Sequence, residues 1–240
     1  MFKRAVKQAF RAVGVEVARY RPSAADLLER MLKLYRVNAV FDIGANTGQS
    51  GEYFRFIGYA GKIVSFEPIE YLFLQLRAKA APDLQWHCEK VALGKAAGRA
   101  HIHVSGGHAG ASSLLEMAEN VILNAPDQRV VAQEAIDVVT LDDMLAKHYP
   151  EGDRCFLKID VQGYEKAVLE GGLHSLDRVV GLKIELSLVE NYKGETLLVD
   201  MLPFLYGLGF RLVSFENGWS NARTGELYQA DCILFRTNAL

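Results

Sequence analysis

Apolar residues along this chain follow two alternating patterns. Short unbroken runs, such as Ala39-Val-Phe-Asp-Ile43 with its single acid, alternate with stretches where apolar positions recur every three or four residues. A short run bounded by turn residues suits a strand buried on both faces, and the second spacing suits an amphipathic helix. After a helix expected over 23–35, with Ser23 as its cap and Asp26 in its first turn, the pattern predicts a strand at Ala39–Ile43. A helix over Gln49–Ile57 and a strand at Lys62–Phe66 follow, then a helix over Ile69–Lys79 and a third strand at Leu84–His87. The middle is less regular, with extended segments at Arg99–Val104 and Val130–Val139 and a flexible Gly106–Gly110 turn between them. A helix over Leu141–His148 restores the alternation. It continues as strand Cys155–Ile159, helix Tyr164–Leu169, strand Val179–Leu186 and helix Thr196–Leu205. Strands that alternate with helices imply right-handed βαβ units and a parallel sheet. Phe210–Phe215 and Tyr228–Phe235, joined by an Asn/Gly-rich loop with no helix between, imply an antiparallel ending.

Composition narrows the class. The chain has 240 residues, of which half are hydrophobic and 23% charged, so one large α/β domain is expected and whole-chain disorder is excluded. A net charge of −2 argues against a general nucleic-acid binder. Cys88, Cys155 and Cys232 lie far apart, form no CxxC pair and read as reduced thiols of a cytoplasmic protein. No apolar run reaches membrane-spanning length. Residues 1–21 carry six basic side chains and one acid, and Phe2, Val6, Ala9, Phe10 and Val13 keep helical spacing. Such a helix either docks on a membrane surface or packs on its own domain with its basic face solvated, and the second reading is preferred. Residues 1–37 therefore form a helical extension, and 38–240 the main domain.

Chemistry gathers at strand ends. Asp42-Ile-Gly-Ala-Asn-Thr-Gly48 joins the first strand to a helix whose N-terminus offers free N–H groups to an anion. Its glycines let backbone approach a ligand closely. It lacks the Lys of a P-loop and the G-x-G-x-x-G spacing of dinucleotide folds, so an adenosine ligand carrying a carboxylate fits better than a nicotinamide dinucleotide. Glu67 ends the second strand and is read either as an acid that accepts both hydroxyls of an unphosphorylated ribose or as a helix-capping acid before Pro68. Further along, Asp160 ends the fourth core strand and Glu185 lies near the end of the fifth, so both face the crevice beyond the strands. Lys158 shares a strand face with Asp160 and is read either as support for it or as its structural ion pair. Gln162 and Glu165 are expected to cap or orient the turn after Asp160. His101 and His103 read as a solvent-facing pair, and His108 either as a hairpin-tip residue or as a base on a mobile lid.

These elements occur in order with Phe66-Glu-Pro68, Ala92-Leu-Gly94, Ala111-Ser-Ser-Leu114, Thr140-Leu-Asp-Asp143, Leu157-Lys-Ile-Asp-Val-Gln-Gly-Tyr-Glu165, Leu169-Glu-Gly-Gly172 and Asp231-Cys-Ile-Leu-Phe235. Together they resemble the FkbM family of S-adenosylmethionine-dependent methyltransferases, from about residue 38 to 236. The chain departs from that pattern at Gln162, where Glu is usual. The resemblance implies a class I, Rossmann-like fold: a seven-stranded, mostly parallel sheet with an antiparallel last strand. It implies O-methylation of hydroxyls on sugars of glycolipids or oligosaccharides, or on macrolides, with a small-molecule or glycan acceptor and no nucleic-acid partner. Carried over by position, Gly44, Asn46 and Gly48 would line the methionine part of the cofactor, and Asp42 would act through its amine. Glu67 would hold the ribose, Val91 and Ala92 would lie beside adenine, and Ser112 and Ser113 would form the nearby wall. Asp160 is the expected base or metal ligand, with Lys158 and Glu185 supporting it and His108 as a further candidate. Should a divalent metal take part, Asp160 and Glu185 are its expected ligands. The rivals are a nucleotide-sugar oxidoreductase or epimerase on a related sheet, and a non-catalytic adapter that kept the fold.

Overall fold

The computed structural model describes Val6, Phe10, Arg11, Gly14 and residues 24–107, 109–152 and 154–237. The expected N-terminal amphipathic helix and the Ser23 cap thus lie largely outside the described residues. The chain runs α1 (Ala24–Leu34), β1 (Ala39–Ile43), α2 (Gln49–Phe56), β2 (Lys62–Phe66), α3 (Glu70–Ala80), β3 (Trp86–Glu89), β4 (Ala92–Leu93) and β5 (Gly98–Ser105). Then come α4 (Glu119–Asn124), β6 (Val130–Val139), α5 (Leu141–His148), β7 (Cys155–Ile159), α6 (Glu165–Glu170), β8 (Val179–Ser187), α7 (Leu198–Gly207), β9 (Phe210–Asn217) and β10 (Gln229–Arg236).

Seven strands form one sheet in the order β3-β2-β1-β7-β8-β10-β9. β1 pairs in parallel with both β2 and β7, β8 pairs in parallel with β7, and β10 runs antiparallel to both β8 and β9. This is the class I methyltransferase topology with its antiparallel last strand. Every residue of β1 and of β7 is buried, as expected of central strands covered on both faces. Alternate residues serve opposite cores. Phe41, Ile43, Leu157 and Ile159 pack with α5–α7, while Val40, Phe156 and Val180 pack with α1 and α2. Leu28, Leu32 and Tyr35 sink into that second core, where the Tyr35 and Phe235 rings lie 4.6 Å apart. The segment 24–35 is therefore packed into the body of the domain.

Two features depart from the sequence reading. The third strand begins at Trp86, because Asp83 holds a turn by accepting the Gln85 N–H at 2.9 Å, and Leu84 is left in solvent. In the middle of the chain, β4, β6 and β5 form a separate three-stranded sheet, and α4 interrupts the long connection between β5 and β6. Neither the small sheet nor α4 was expected. In place of an open Gly106–Gly110 turn, residues 109–111 form a short 3-10 helix.

Candidate active site

The strand order reverses between β1 and β7, which puts the crevice of an open α/β sheet at their carboxyl ends. A cavity of about 470 Å³ opens there. Its floor is the turn after β1. Gly44 takes φ +77°, and a side chain at this position would begin 1.8 Å from the Asp160 carbonyl oxygen, so only glycine lets the ends of β1 and β7 meet. Asn46 also takes a left-handed φ of 51°, held by the Thr47 N–H donating to its Oδ1 at 2.6 Å.

Glu67, directly after β2, is 5% exposed and lines the cavity. The Asn46 N–H donates to its Oε2 and the Ile69 N–H to its Oε1, each at 2.9 Å. Burial nevertheless pushes its carboxyl up to about 7, outweighing those two bonds. Val91, Ala92, Ser112, Gly44 and Asn46 share the cavity wall with it, as do Gln49 and Ser50 of α2. The first N–H groups of α2 have no intrahelical acceptor and are available to an anion.

Asp160, Lys158 and Glu185 meet on the far side of the same cavity. Strand register aligns Ser65, Asp42 and Lys158 across β2, β1 and β7. A polar chain follows: Trp86 Nε1 donates to Ser65 Oγ at 2.9 Å, and Ser65 Oγ donates to Asp42 Oδ2 at 3.0 Å. Lys158 Nζ stands 3.5 Å from Asp42 Oδ1, 3.4 Å from Asp160 Oδ2, and donates to the Gly44 carbonyl at 3.0 Å. The flanking carboxylates Asp160 and Asp42 hold the Lys158 ammonium charged against the burial that would neutralise it. Lys158 and Asp160 are thus an ion pair, and both line the cavity.

Gln162 does more than shape its turn. Its Nε2 donates to Asp160 Oδ1 and to Glu185 Oε2, each at 2.7 Å, so one neutral amide bridges two carboxylates. Its φ of 57° is left-handed, and Ser113 Oγ pins the strained peptide by donating to the Gln162 carbonyl at 2.6 Å. The Tyr192 hydroxyl lies 2.7 Å from Gln162 Oε1, which fixes the amide's orientation. Gln229 Nε2 adds a 2.9 Å bond to the same Glu185 Oε2. Burial first, then the nearby Asp160 and Glu165 charges, push the Glu185 carboxyl well above the usual carboxylate range. Glu165 does what the sequence suggested, accepting the Val161 and Gly163 N–H groups at 3.1 and 3.2 Å.

Not every expected residue reaches the cavity. Asp42 is wholly buried behind Lys158, and its Oδ1 takes no hydrogen bond. Gly48 turns toward Leu76, Lys79 and Trp86 as the N-cap of α2, and Ser113 sits under Gln162. His108 lies outside the described residues. His103 meets Gln133 on the small sheet, and His101 is exposed beside it. Among the described residues, no three His, Cys, Asp or Glu side chains gather in a way that could hold a metal ion. Sequence reasoning missed Gln128, Tyr192 and Trp219, which come from connections with no strand-end signal, and Gln229, the first residue of β10.

The Methyltransferase FkbM domain matches residues 42–212, which is most of the chain and runs from the end of β1 into the start of β9. The chain belongs to the FkbM methyltransferase family. Its cofactor is S-adenosylmethionine, and the site fits that molecule: a buried acid at the wall, a strand end closed to any Cβ, and a helix N-terminus facing one cavity. The family match removes the oxidoreductase rival. Solved structures with a similar fold include magnesium protoporphyrin IX methyltransferase from Synechocystis PCC 6803 (12% identity, 89% of this chain and 78% of that one, TM-score 0.47). Another is an rRNA methylase from Streptococcus thermophilus (12% identity, 92% and 99%, TM-score 0.47). A third is 1,6-didemethyltoxoflavin-N1-methyltransferase from Burkholderia thailandensis (13% identity, 90% and 80%, TM-score 0.46). No curated protein matches the sequence.

Proposed function

We propose that this FkbM-family chain is an O-methyltransferase whose acceptor is a hydroxyl on a sugar, glycolipid or oligosaccharide. The observation that carries the reading is the Asp160–Glu185 carboxylate pair, bridged by one amide and facing the cavity. An alcohol gives up its proton as it attacks, so a base must stand where the acceptor oxygen lies. When bound, S-adenosylmethionine supplies a methyl group made electrophilic by the adjoining sulfonium. Glu67 holds its ribose, Val91 and Ala92 flank its adenine, and Gly44, Asn46 and the start of α2 receive its methionine end. Asp42 acts from behind, by fixing Lys158 and through it the Gly44 carbonyl.

The proton passes to the carboxylate pair, whose oxygens the Gln162 amide holds together at the reacting end. Lys158 keeps Asp160 in place, and burial raises the proton affinity of Glu185. Gln162 presents N–H hydrogens between the two carboxylates, where a metal ion would require lone pairs, so the donor set favours a proton acceptor over a cation site. The three unpaired thiols are in keeping with a reaction in the cytoplasm. Among the described residues no helix is long and apolar enough to cross a membrane.

The test is Asp160→Asn beside Glu185→Gln. Each is expected to lower kcat by roughly 10²–10⁴-fold while the affinity for S-adenosylhomocysteine holds. Chelation should leave wild-type turnover intact. Near-normal kcat in both folded variants would remove the base assignment, and activity lost to chelation and restored by Mg²⁺ would turn the pair into metal ligands.

A further inference from the structure

Beyond the carboxylate pair the cavity wall passes to Gln128, Tyr192, Trp219 and Gln229, none of which the cofactor reading employs. Trp219 stands in the connection between β9 and β10, and its backbone is locked there. Its carbonyl accepts the Tyr228 and Gln229 N–H groups at 2.9 and 3.1 Å. Its ring meets Tyr228 edge-on at 5.0 Å and packs against the small cluster of Ala111, Met117 and Val121, yet it is only half-buried and lines the cavity. This is a rigid aromatic wall with one side left open. Opposite in chemistry is Gln128, whose side-chain amide takes no partner among the described residues while it faces the same space. A carboxamide both donates and accepts, as a sugar hydroxyl does.

Charge sharpens the choice. The described cavity residues include three carboxylates, Glu67, Asp160 and Glu185, and one cation, Lys158. That cation is committed to Asp42, Asp160 and the Gly44 carbonyl. Among the described residues a phosphorylated acceptor would find no uncommitted cation at the reacting end, so its charge would lose hydration without gaining a partner.

We infer that Trp219, Gln128 and Gln229 form the acceptor seat, that it takes an uncharged polyhydroxylated ring with its C–H face on Trp219, and that it rejects phosphorylated rings. Gln229 places one amide on Glu185, so a ring seated against it brings a hydroxyl toward the carboxylate pair. The inference rests on the methyltransferase reading of the same cavity, and the experiment keeps the two apart.

The full chain and its Trp219→Ala, Trp219→Phe and Gln128→Ala variants are first titrated with S-adenosylhomocysteine by calorimetry. All four are expected to bind it alike. The complexes are then titrated with methyl glucoside, cellobiose, chitobiose and glucose 6-phosphate, followed by tryptophan fluorescence and saturation-transfer NMR. Trp86, the other tryptophan of the chain, is buried, so the fluorescence change reports Trp219. At least one neutral saccharide is expected to saturate, with affinity lowered about tenfold or more in Trp219→Ala and Gln128→Ala and partly kept in Trp219→Phe. Glucose 6-phosphate is expected not to bind. Saturation by glucose 6-phosphate at equal affinity overturns the seat, as do unchanged affinities in the folded variants or a lack of saturation by every neutral saccharide. Failure of wild-type protein to bind S-adenosylhomocysteine overturns the cofactor reading itself, and with it the seat.

Discussion

At the scale of single residues, Glu67 couples cofactor binding to pH. Its carboxyl is raised from 4.5 to about 7 in the fold, because burial penalises the charge more than two N–H bonds favour it. The sign follows. Ionising Glu67 disfavours the native state, so its contribution to stability is fully present below the unfolded value and is lost as pH rises through about 7. Ribose hydroxyls donate to the ionised form, so affinity for S-adenosylhomocysteine should rise with pH through the same range, with a proton released on binding. Calorimetry in buffers of different ionisation enthalpy checks this, and Glu67→Gln should flatten the dependence and weaken binding about tenfold or more. Gln162 offers a second test. Gln162→Glu replaces a bridging donor with a third carboxyl beside Asp160 and Glu185, and like charge raises the proton affinity of Glu185 further. The acid limb of kcat/KM should move to higher pH, and kcat should fall; an unmoved limb would show that Gln162 merely fills space. Glu67, Asp160 and Glu185 were legible in the sequence because strand ends in an open sheet point at the crevice. Gln162 was legible only as a turn residue, since its bond to Glu185 depends on side chains of β7 and β8 meeting beyond their ends, which no local pattern encodes.

At the scale of elements, α2 is seated by a glycine. A Cβ on Gly51 would fall 2.0 Å from the Trp86 ring, and the ring is itself tied to Ser65. Gly51→Ala should therefore overpack the joint between α2 and β3 and destabilise the fold by about 1–3 kcal/mol. A thermal melt should show a fall of roughly 2–4 °C per kcal/mol, and an unchanged melting temperature would mean that Trp86 moves freely aside. The central strands and their helices were readable because continuous apolar runs mark strands buried on both faces, and glycine stops bound them. The small sheet was not. β6 is exposed along much of its length and β4 spans Ala92–Leu93, so the signal of this layer lies in pairing across distant segments. α4 escaped for a related reason: it has no side-chain cap, and Ile122 and Leu123 stand in solvent, so its apolar residues do not mark a buried face.

For the molecule as a whole, the N-terminal boundary is a question of core. Leu28, Leu32 and Tyr35 each stay under 5% exposed against β1, β7 and β10, and burying side chains of this size contributes roughly 1.5–3 kcal/mol apiece. Deleting residues 1–37 should therefore unfold the domain or sharply lower its melting temperature. Deleting residues 1–20 should leave methyl transfer intact and partition onto anionic vesicles near zero. Salt-sensitive vesicle binding of the full chain, lost on the shorter deletion, would instead make the basic segment a membrane contact. The cofactor, the carboxylate pair and the acceptor seat act in one reaction, and one measurement addresses all three. The full chain is incubated with methyl-labelled S-adenosylmethionine and the neutral glycolipids and oligosaccharides of its source, and the labelled product is located by mass spectrometry. Label on a sugar oxygen, absent with Asp160→Asn, is the predicted result. Label on nitrogen, on nucleic acid or on a phosphorylated acceptor, or no transfer to any of these glycans by protein shown to bind the cofactor, would contradict it.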